Sequence, residues 1–453
     1  MSIALLVVIC IGTGITIRVL RRLPRLVFVA SLVGAALLGA ILATAPSAPI
    51  DFVGRTLMLD TAARACLWLA LGIAVALAFF GPLTFGGPGD SPSAVIVNAQ
   101  GAFFFWSLAP LAIAITLDSF PLAIFFWAIG LIALMLLAQP QRAGHAGGAA
   151  QFLLITVIAA ACLLLANRFL ELYPLTPENL DLIRNAVIFL ALGLGLLLAV
   201  APLHIWLGPL ADEMPVLGTA FLVGVAQSVG LWLLFQRMSQ FQWLTNRSPL
   251  LTVLLLGGAL TVLIGALLTL AEWRDGRLVA YLSLVALGHA LIGLGLGTRL
   301  GLAAAVLAMS NRAVGIALVA GGITFARHHA ERRWQIVGAL AILCGGLTLT
   351  GIAPALGFAT RWTIYRDLVS ANLAWLALLF ASNAAVLLAT LRIVWQLLAE
   401  RTEPSDSGEV KIVPYLCTAV VMLLITAAVV TGIFPQLISD PLVAVLGKAS
   451  YLK

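Results

Sequence analysis

Apolar residues in this chain fall in long runs separated by short polar or charged stretches. The runs lie at about 2–20, 26–46, 61–81, 94–117, 119–138, 150–169 and 184–203, then at 215–236, 249–271, 278–297, 299–324, 334–364, 369–397 and 412–434. Most approach the ~20 apolar residues that a helix needs to cross a bilayer. Hydrocarbon offers no water to backbone polar groups, so such runs must close their hydrogen bonds within helices. The pattern predicts an all-α polytopic membrane protein of about fourteen transmembrane helices, a single integral membrane domain over 1–453. The first run lacks a basic leader and is followed by Arg18, Arg21, Arg22 and Arg25, so it reads as a retained helix.

The longest polar stretches, 139–151, 171–184 and 401–411, are loop-sized, and the last (RTEPSDSGEVK) reads as a flexible connector. Two runs look interrupted. Residues 196–207 read LLLAVAPLHIWL and 351–362 read GIAPALGFATRW, with Ala-Pro pairs at Pro202 and Pro354, 152 residues apart. A single proline kink is ordinary in membrane helices. A matched pair in corresponding halves predicts two inverted repeats with discontinuous helices. The approximate repeats are 94–236 and 249–397, flanked by helices within 1–81 and at 412–434.

Composition narrows the function classes. The chain is 62% hydrophobic and 9% charged, with a mean hydropathy of +1.12, whereas soluble domains are roughly a quarter charged. A soluble enzyme, a secreted disulfide scaffold and a disordered chain are excluded. The net charge of +7 bears on loop placement rather than on nucleic acid, and no nucleic-acid partner is expected. The arginines after the first run, with Arg327, Arg332 and Arg333, place those loops in the cytoplasm and the N-terminus outside an inner (plasma) membrane. Five cysteines are scattered through apolar runs without a CxxC pair, as buried small hydrophobes are. No glycine-rich nucleotide motif or cysteine cluster is visible, so no cofactor is expected on this chain.

Six motifs carry a resemblance. They are TLMLD at 56–60, DSFPLAIFFW at 118–127, PLHIWL at 202–207, PVLGTAFLVGVAQSVG at 215–230, RLVAYLSLVALG at 277–288 and GIAPALGFATR at 351–361. In this order they resemble the antiporter-like membrane subunits of respiratory complex I, which also occur in Mrp-type sodium/proton antiporters and membrane-bound energy-converting (group 4) hydrogenases. The PLHIWL segment is the most specific match. The resemblance implies a non-catalytic subunit of a membrane oxidoreductase such as an NADH:quinone oxidoreductase. Its partners would be other membrane and peripheral subunits and the lipid bilayer.

The departures from that family are as informative. Its membrane glutamate after the FFW-like triplet is replaced by Ala128. Its lysine five residues before the PLHIWL-type proline is replaced by Leu197, and the lysine of the 215–230 pattern by Ser228. The histidine of the 277–288 pattern falls on Ala286, with His289 nearby. Where a histidine and a lysine are usual in the eleventh run, 310–314 reads SNRAV. Arg361 alone is basic at a family lysine position. The chain has three lysines, Lys411, Lys448 and Lys453, and none before them. A buried lysine can load and release a proton because desolvation brings its pKa within reach. Arginine stays protonated, and Leu, Ala and Ser do not titrate. By the run boundaries no Asp or Glu lies in mid-helix. Impaired or absent proton translocation is therefore expected.

Polar residues left in the apolar runs are functional candidates, because an intramembrane charge is expensive. Arg312 and Arg361 are either fixed charges beside an ion or water cavity, or donors to carbonyls of broken helices. His204 has two readings, a proton-uptake group and a structural bond to the interrupted helix; His289 is a titratable group in mid-membrane. Gln227 and Ser228 either hold water or bond between helices. His145, His328 and His329 read as solvated loop residues. No metal-ligand spacing is present. Two further functions remain open: a transport subunit of an inorganic-carbon uptake complex, and a stand-alone secondary transporter with its site at the interrupted helices.

Overall fold

A computed structural model describes residues 2–45, 50–52, 55–84, 100–138, 147–329, 331–371, 373–399, 412–434 and 436. His145 and the 401–411 connector lie outside the described residues. The first helices are α1 (Ser2–Val19), α2 (Pro24–Thr44), α3 (Thr61–Thr84), α4 (Gln100–Thr116), α5 (Phe120–Met135) and α6 (Gly147–Leu172). A broken pair follows, α7 (Leu180–Leu198) and α8 (Leu207–Glu213). Next come α9 (Val216–Gln240), α10 (Leu250–Ala271), α11 (Asp275–Gly295) and α12 (Arg299–His328). A second broken pair is α13 (Arg332–Thr350) and α14 (Gly357–Ala371), before α15 (Leu373–Ala399) and α16 (Ile412–Ile433).

Ten described helical segments are long and apolar enough to cross a membrane, and four shorter apolar ones accompany them. The protein is thus a helical membrane protein. Its outer surface is greasy: Leu32, Val33, Leu37, Leu154, Val157 and Leu391 are each about half exposed. In water such a surface would aggregate; against lipid tails it is matched.

Chain neighbours pack as helical hairpins, α6 on α7, α10 on α11 and α12 on α13. Backbones approach closely where side chains are small. A Cβ added at Gly258 would lie 2.8 Å from the Gly288 carbonyl oxygen, and one at Gly288 would lie 2.7 Å from that of Gly258. Helices α11 and α12 run through the centre; α12 touches α3, α9, α11, α13, α14 and α16.

Several boundaries differ from the sequence pattern. The 334–364 run is two helices, because Gly351 adopts a left-handed conformation (φ 70°) that ends α13. The 184–203 run likewise divides, at Ala199 (φ 59°). The Ala199–Gly351 spacing repeats that of Pro202 and Pro354. The 171–184 loop is short, since α6 runs to Leu172 and Asn179 caps α7 by accepting from the Asp181 amide at 3.1 Å. Restarting at Gly357 carries α14 to Ala371, so Asp367, which falls between two apolar runs, lies one turn before the end of a helix; it accepts from the Thr298 hydroxyl at 2.8 Å. The run pattern also missed an antiparallel pair, β1 (Ile50–Phe52) and β2 (Arg55–Leu57), which bridges to Leu117. Short strands between apolar runs leave no periodic trace.

Candidate functional site

The first break exposes carbonyls that α7 can no longer bond. Leu196 is served by the Trp206 indole at 2.8 Å, and Leu197 accepts from the Gln227 amide at 3.0 Å. The Ala201 amide donates to the Thr261 hydroxyl at 3.0 Å. Gln227 in turn accepts from Arg312 Nη2, and Arg312 Nε donates to the Ser283 hydroxyl at 2.7 Å. A polar tie thus runs from the broken helix through α9 and α12 to α11. Gln227 and Ser283 are fully buried and Arg312 is 1% exposed.

Ser228 takes no part in the tie. Its hydroxyl donates to the Gly224 carbonyl of its own helix at 2.7 Å. This happens beside a π turn at Leu222–Ala226, a local widening found often at functional sites. The Ala226 carbonyl accepts from the Trp127 indole at 2.8 Å. Ala128, next to that tryptophan, is half-buried on α5.

The second break is served from its own continuation. Arg361 on α14 donates Nη2 to the Leu349 carbonyl at 2.6 Å, and Asn311 Nδ2 donates to the Thr360 hydroxyl at 2.6 Å. His289 on α11 holds Nδ1 2.8 Å from the Val285 carbonyl. A carbonyl only accepts, so Nδ1 carries the proton and Nε2 of the neutral ring is an acceptor. Its ring lies within electrostatic reach of Arg361.

Four buried polar atoms here have no protein partner: Arg312 Nη1, Arg361 Nη1, Asn311 Oδ1 and His289 Nε2. Among the described residues neither arginine has a carboxylate partner. Gln227 and Arg312 therefore join through direct contact, and Arg361 and His289 are brought near one another. His204 stands apart, half-buried in the first break beside an exposed Ile205. His329 is buried against Phe325 rather than solvated, its ring 4.7 Å from the phenyl centroid. That overturns its reading as a solvated residue: it lies in extended backbone just past the end of α12, among the rings of Phe325 and Trp334.

Sequence reasoning missed Arg237. It is 5% exposed at the end of α9, donates to the Asp118 carbonyl at 3.2 Å and lies 5.0 Å from the Phe120 ring centroid. Two polar cavities, about 430 and 320 Å³, share Asp118, Arg237 and Gln240; Glu171 lines the first and Asp60 the second. The motif residues Asp60 and Asp118 therefore meet at one end of the bundle. The other rim is held by ion pairs. Asp212 accepts from Arg274 at 2.9 Å and from Arg277, Arg327 pairs with Asp275, and Glu213 caps α6 through the amides of Gly148 and Ala149 at 2.7 and 2.8 Å.

Residues 118–387 match the family described as NADH:quinone oxidoreductase/Mrp antiporter, transmembrane region. The chain belongs to this family. It is 29% identical over 343 residues to NADH-quinone oxidoreductase subunit N of Desulforudis audaxviator, covering 68% of this chain and 66% of the relative. It spans about half to two thirds of the length of the curated relatives it matches. Its fold superposes on a chain of respiratory complex I from Thermus thermophilus with a TM-score of 0.78 at 19% identity, each chain fully covered. It also superposes on a chain of the Mrp complex from Dietzia sp. with a TM-score of 0.79 at 18% identity, covering all of this chain and 52% of that one. The resemblance read from the six motifs is thus borne out. As a member of the NADH:quinone oxidoreductase/Mrp antiporter family, the chain is an antiporter-like membrane subunit in fold. Its buried tie starts from the backbone of Leu197, the position at which the motif resemblance implies a lysine.

Proposed function

We propose that the chain is a membrane subunit of a complex I-like or energy-converting-hydrogenase-like assembly, and that it moves no protons by a lysine relay of its own. It serves as a packing and coupling module among other membrane and peripheral subunits, with redox chemistry elsewhere. The observation that carries this reading is the Leu197–Gln227–Arg312–Ser283 tie. It replaces groups that load and release protons by an amide, a hydroxyl and a guanidinium that stays charged. The matched spacing of the two breaks supports two inverted repeats, near 94–236 and 249–397, in a bundle of about fourteen spans. The arginine-rich first loop and Arg327, Arg332 and Arg333 support an N-terminus outside the plasma membrane.

The test is proton translocation by the assembled complex in vesicles, scaled to the amount assembled. With Arg312→Gln and with His289→Phe, translocation per assembled complex is expected to stay at the wild-type level. A loss of about tenfold or more at full assembly, equivalent to about 1.4 kcal/mol, would overturn the reading.

A further inference from the structure

A cavity of about 460 Å³ lies between α3, α9 and α12, within the roughly 300–1,000 Å³ of small-molecule sites. Trp68, Leu69, Val225, Ser228, Trp232 and Val306 are among its walls. No charged residue lines it, and the Ser228 hydroxyl is already committed to Gly224. Small residues open the space: Gly224 and Ser228 on α9 face Ser310 and Ala313 on α12.

The two ends of this cavity differ. Trp232 closes one. Its indole donates to the Ile115 carbonyl at 3.3 Å, and the same side chain lines the polar cavity of Asp60 and Asp118. One tryptophan thus stands between an apolar and a polar space. Near the other end Trp68 is 43% exposed, and it packs on α2 at Gly39. Leu32, Val33 and Leu37 on the same α2 are each about half exposed, so the helix against Trp68 presents an apolar outer surface.

We propose that this cavity takes an acyl chain of a bilayer phospholipid, entering past Trp68 and ending at Trp232. An apolar cavity does not hold water, and an empty one forfeits the dispersion contacts of its lining. The medium outside the mouth is hydrocarbon, which supplies those contacts. A quinone is disfavoured, because its carbonyls need donors and Ser310 is the one wall hydroxyl not committed to its own helix. An acyl chain needs none. The consequence rests on the reading of a chain without a lysine relay: hydrocarbon against Ser228 keeps water from the position where the family carries a lysine.

Brominated acyl chains quench tryptophan by contact, and Trp232 is 3% exposed, so a chain at the outer surface does not reach it. The complex is reconstituted in phosphatidylcholine with or without brominated chains, and Trp232 emission is taken as the difference between wild type and Trp232→Phe. Most of that emission is expected to be lost in brominated lipid. Filling the cavity with Val306→Phe should restore it, and this comparison can be made in the wild-type tryptophan background should Trp232→Phe fail to assemble. Emission unaffected by bromine overturns the proposal. So does quenching that survives Val306→Phe, or quenching relieved by added isoprenoid quinone. Proton movement is not the readout, so the proposal and the reading without a relay fail separately.

Discussion

The two broken helices solve one problem with different chemistry. At the first break the stranded carbonyl of Leu197 is served by a neutral amide from another helix, itself held by Arg312. At the second the stranded carbonyl of Leu349 is served by a guanidinium twelve residues along the same chain. The first therefore depends on three helices staying in register. The second depends on one local turn. The backbone differs as well, for the left-handed residue is alanine at the first break and glycine at the second. The lesson is that a shared break does not fix how its loose ends are tied, and the ties decide whether a mobile proton or a fixed charge sits there.

Gly351→Val should do the most damage. It adds a side chain at positive φ, and even a Cβ would overlap the Arg361 side chain and approach the Gly357 carbonyl to 2.7 Å. A loss of about 3 kcal/mol or more is expected, read as thermal unfolding and as the yield of assembled protein in detergent. Gln227→Leu comes next. It strands the Leu197 carbonyl and takes an acceptor from a buried guanidinium, for about 2–4 kcal/mol. The pair Gln227→Leu with Arg312→Leu should be more stable than Gln227→Leu alone. A double variant worse than either single would show that the first break is not held by this tie.

Arg361→Gln is expected to cost about 1–3 kcal/mol through one unserved carbonyl and to lower the amount of assembled complex, whereas Arg361→Lys retains most of it. Full assembly and full activity for Arg361→Gln would remove any role for the charge. The smallest effect has the opposite sign. Ala199→Gly should gain about 0.5–1 kcal/mol in thermal unfolding, since glycine takes a left-handed conformation without the Cβ clash; no gain would mean that the first break is held from outside.

Much of this was legible in the sequence because hydrocarbon leaves so few options. Continuous apolar runs marked the helices, and two Ala-Pro pairs marked both breaks. Gln227 and Arg312 stood out because amides and charges are costly in such runs. Their link was not legible, for it spans 85 residues. Ser283 carried no signal at all, since a lone serine in an apolar run reads as a small filler. Asp60, Asp118, Glu171 and Arg237 each fall at the edge of an apolar run; only packing shows that they line adjoining cavities. Asp367 falls between the 334–364 and 369–397 runs, because run boundaries cannot foresee that a broken helix restarts at Gly357.

Adjacent carboxylates on α8 reach in opposite directions along the chain. Glu213 bonds backward to Gly148, and Asp212 bonds forward to Arg277, each across 65 residues. During synthesis, then, the earlier half of the bundle has this rim contact outstanding until α11 has emerged. Membrane proteins are built from the N-terminus onward, so a chain stopped before Arg274 leaves Asp212 without Arg274 and Arg277, its guanidinium partners at the start of α11. The order in which the ribosome delivers helices is thereby recorded in the finished rim, where one half of the molecule is fastened by the arrival of the other.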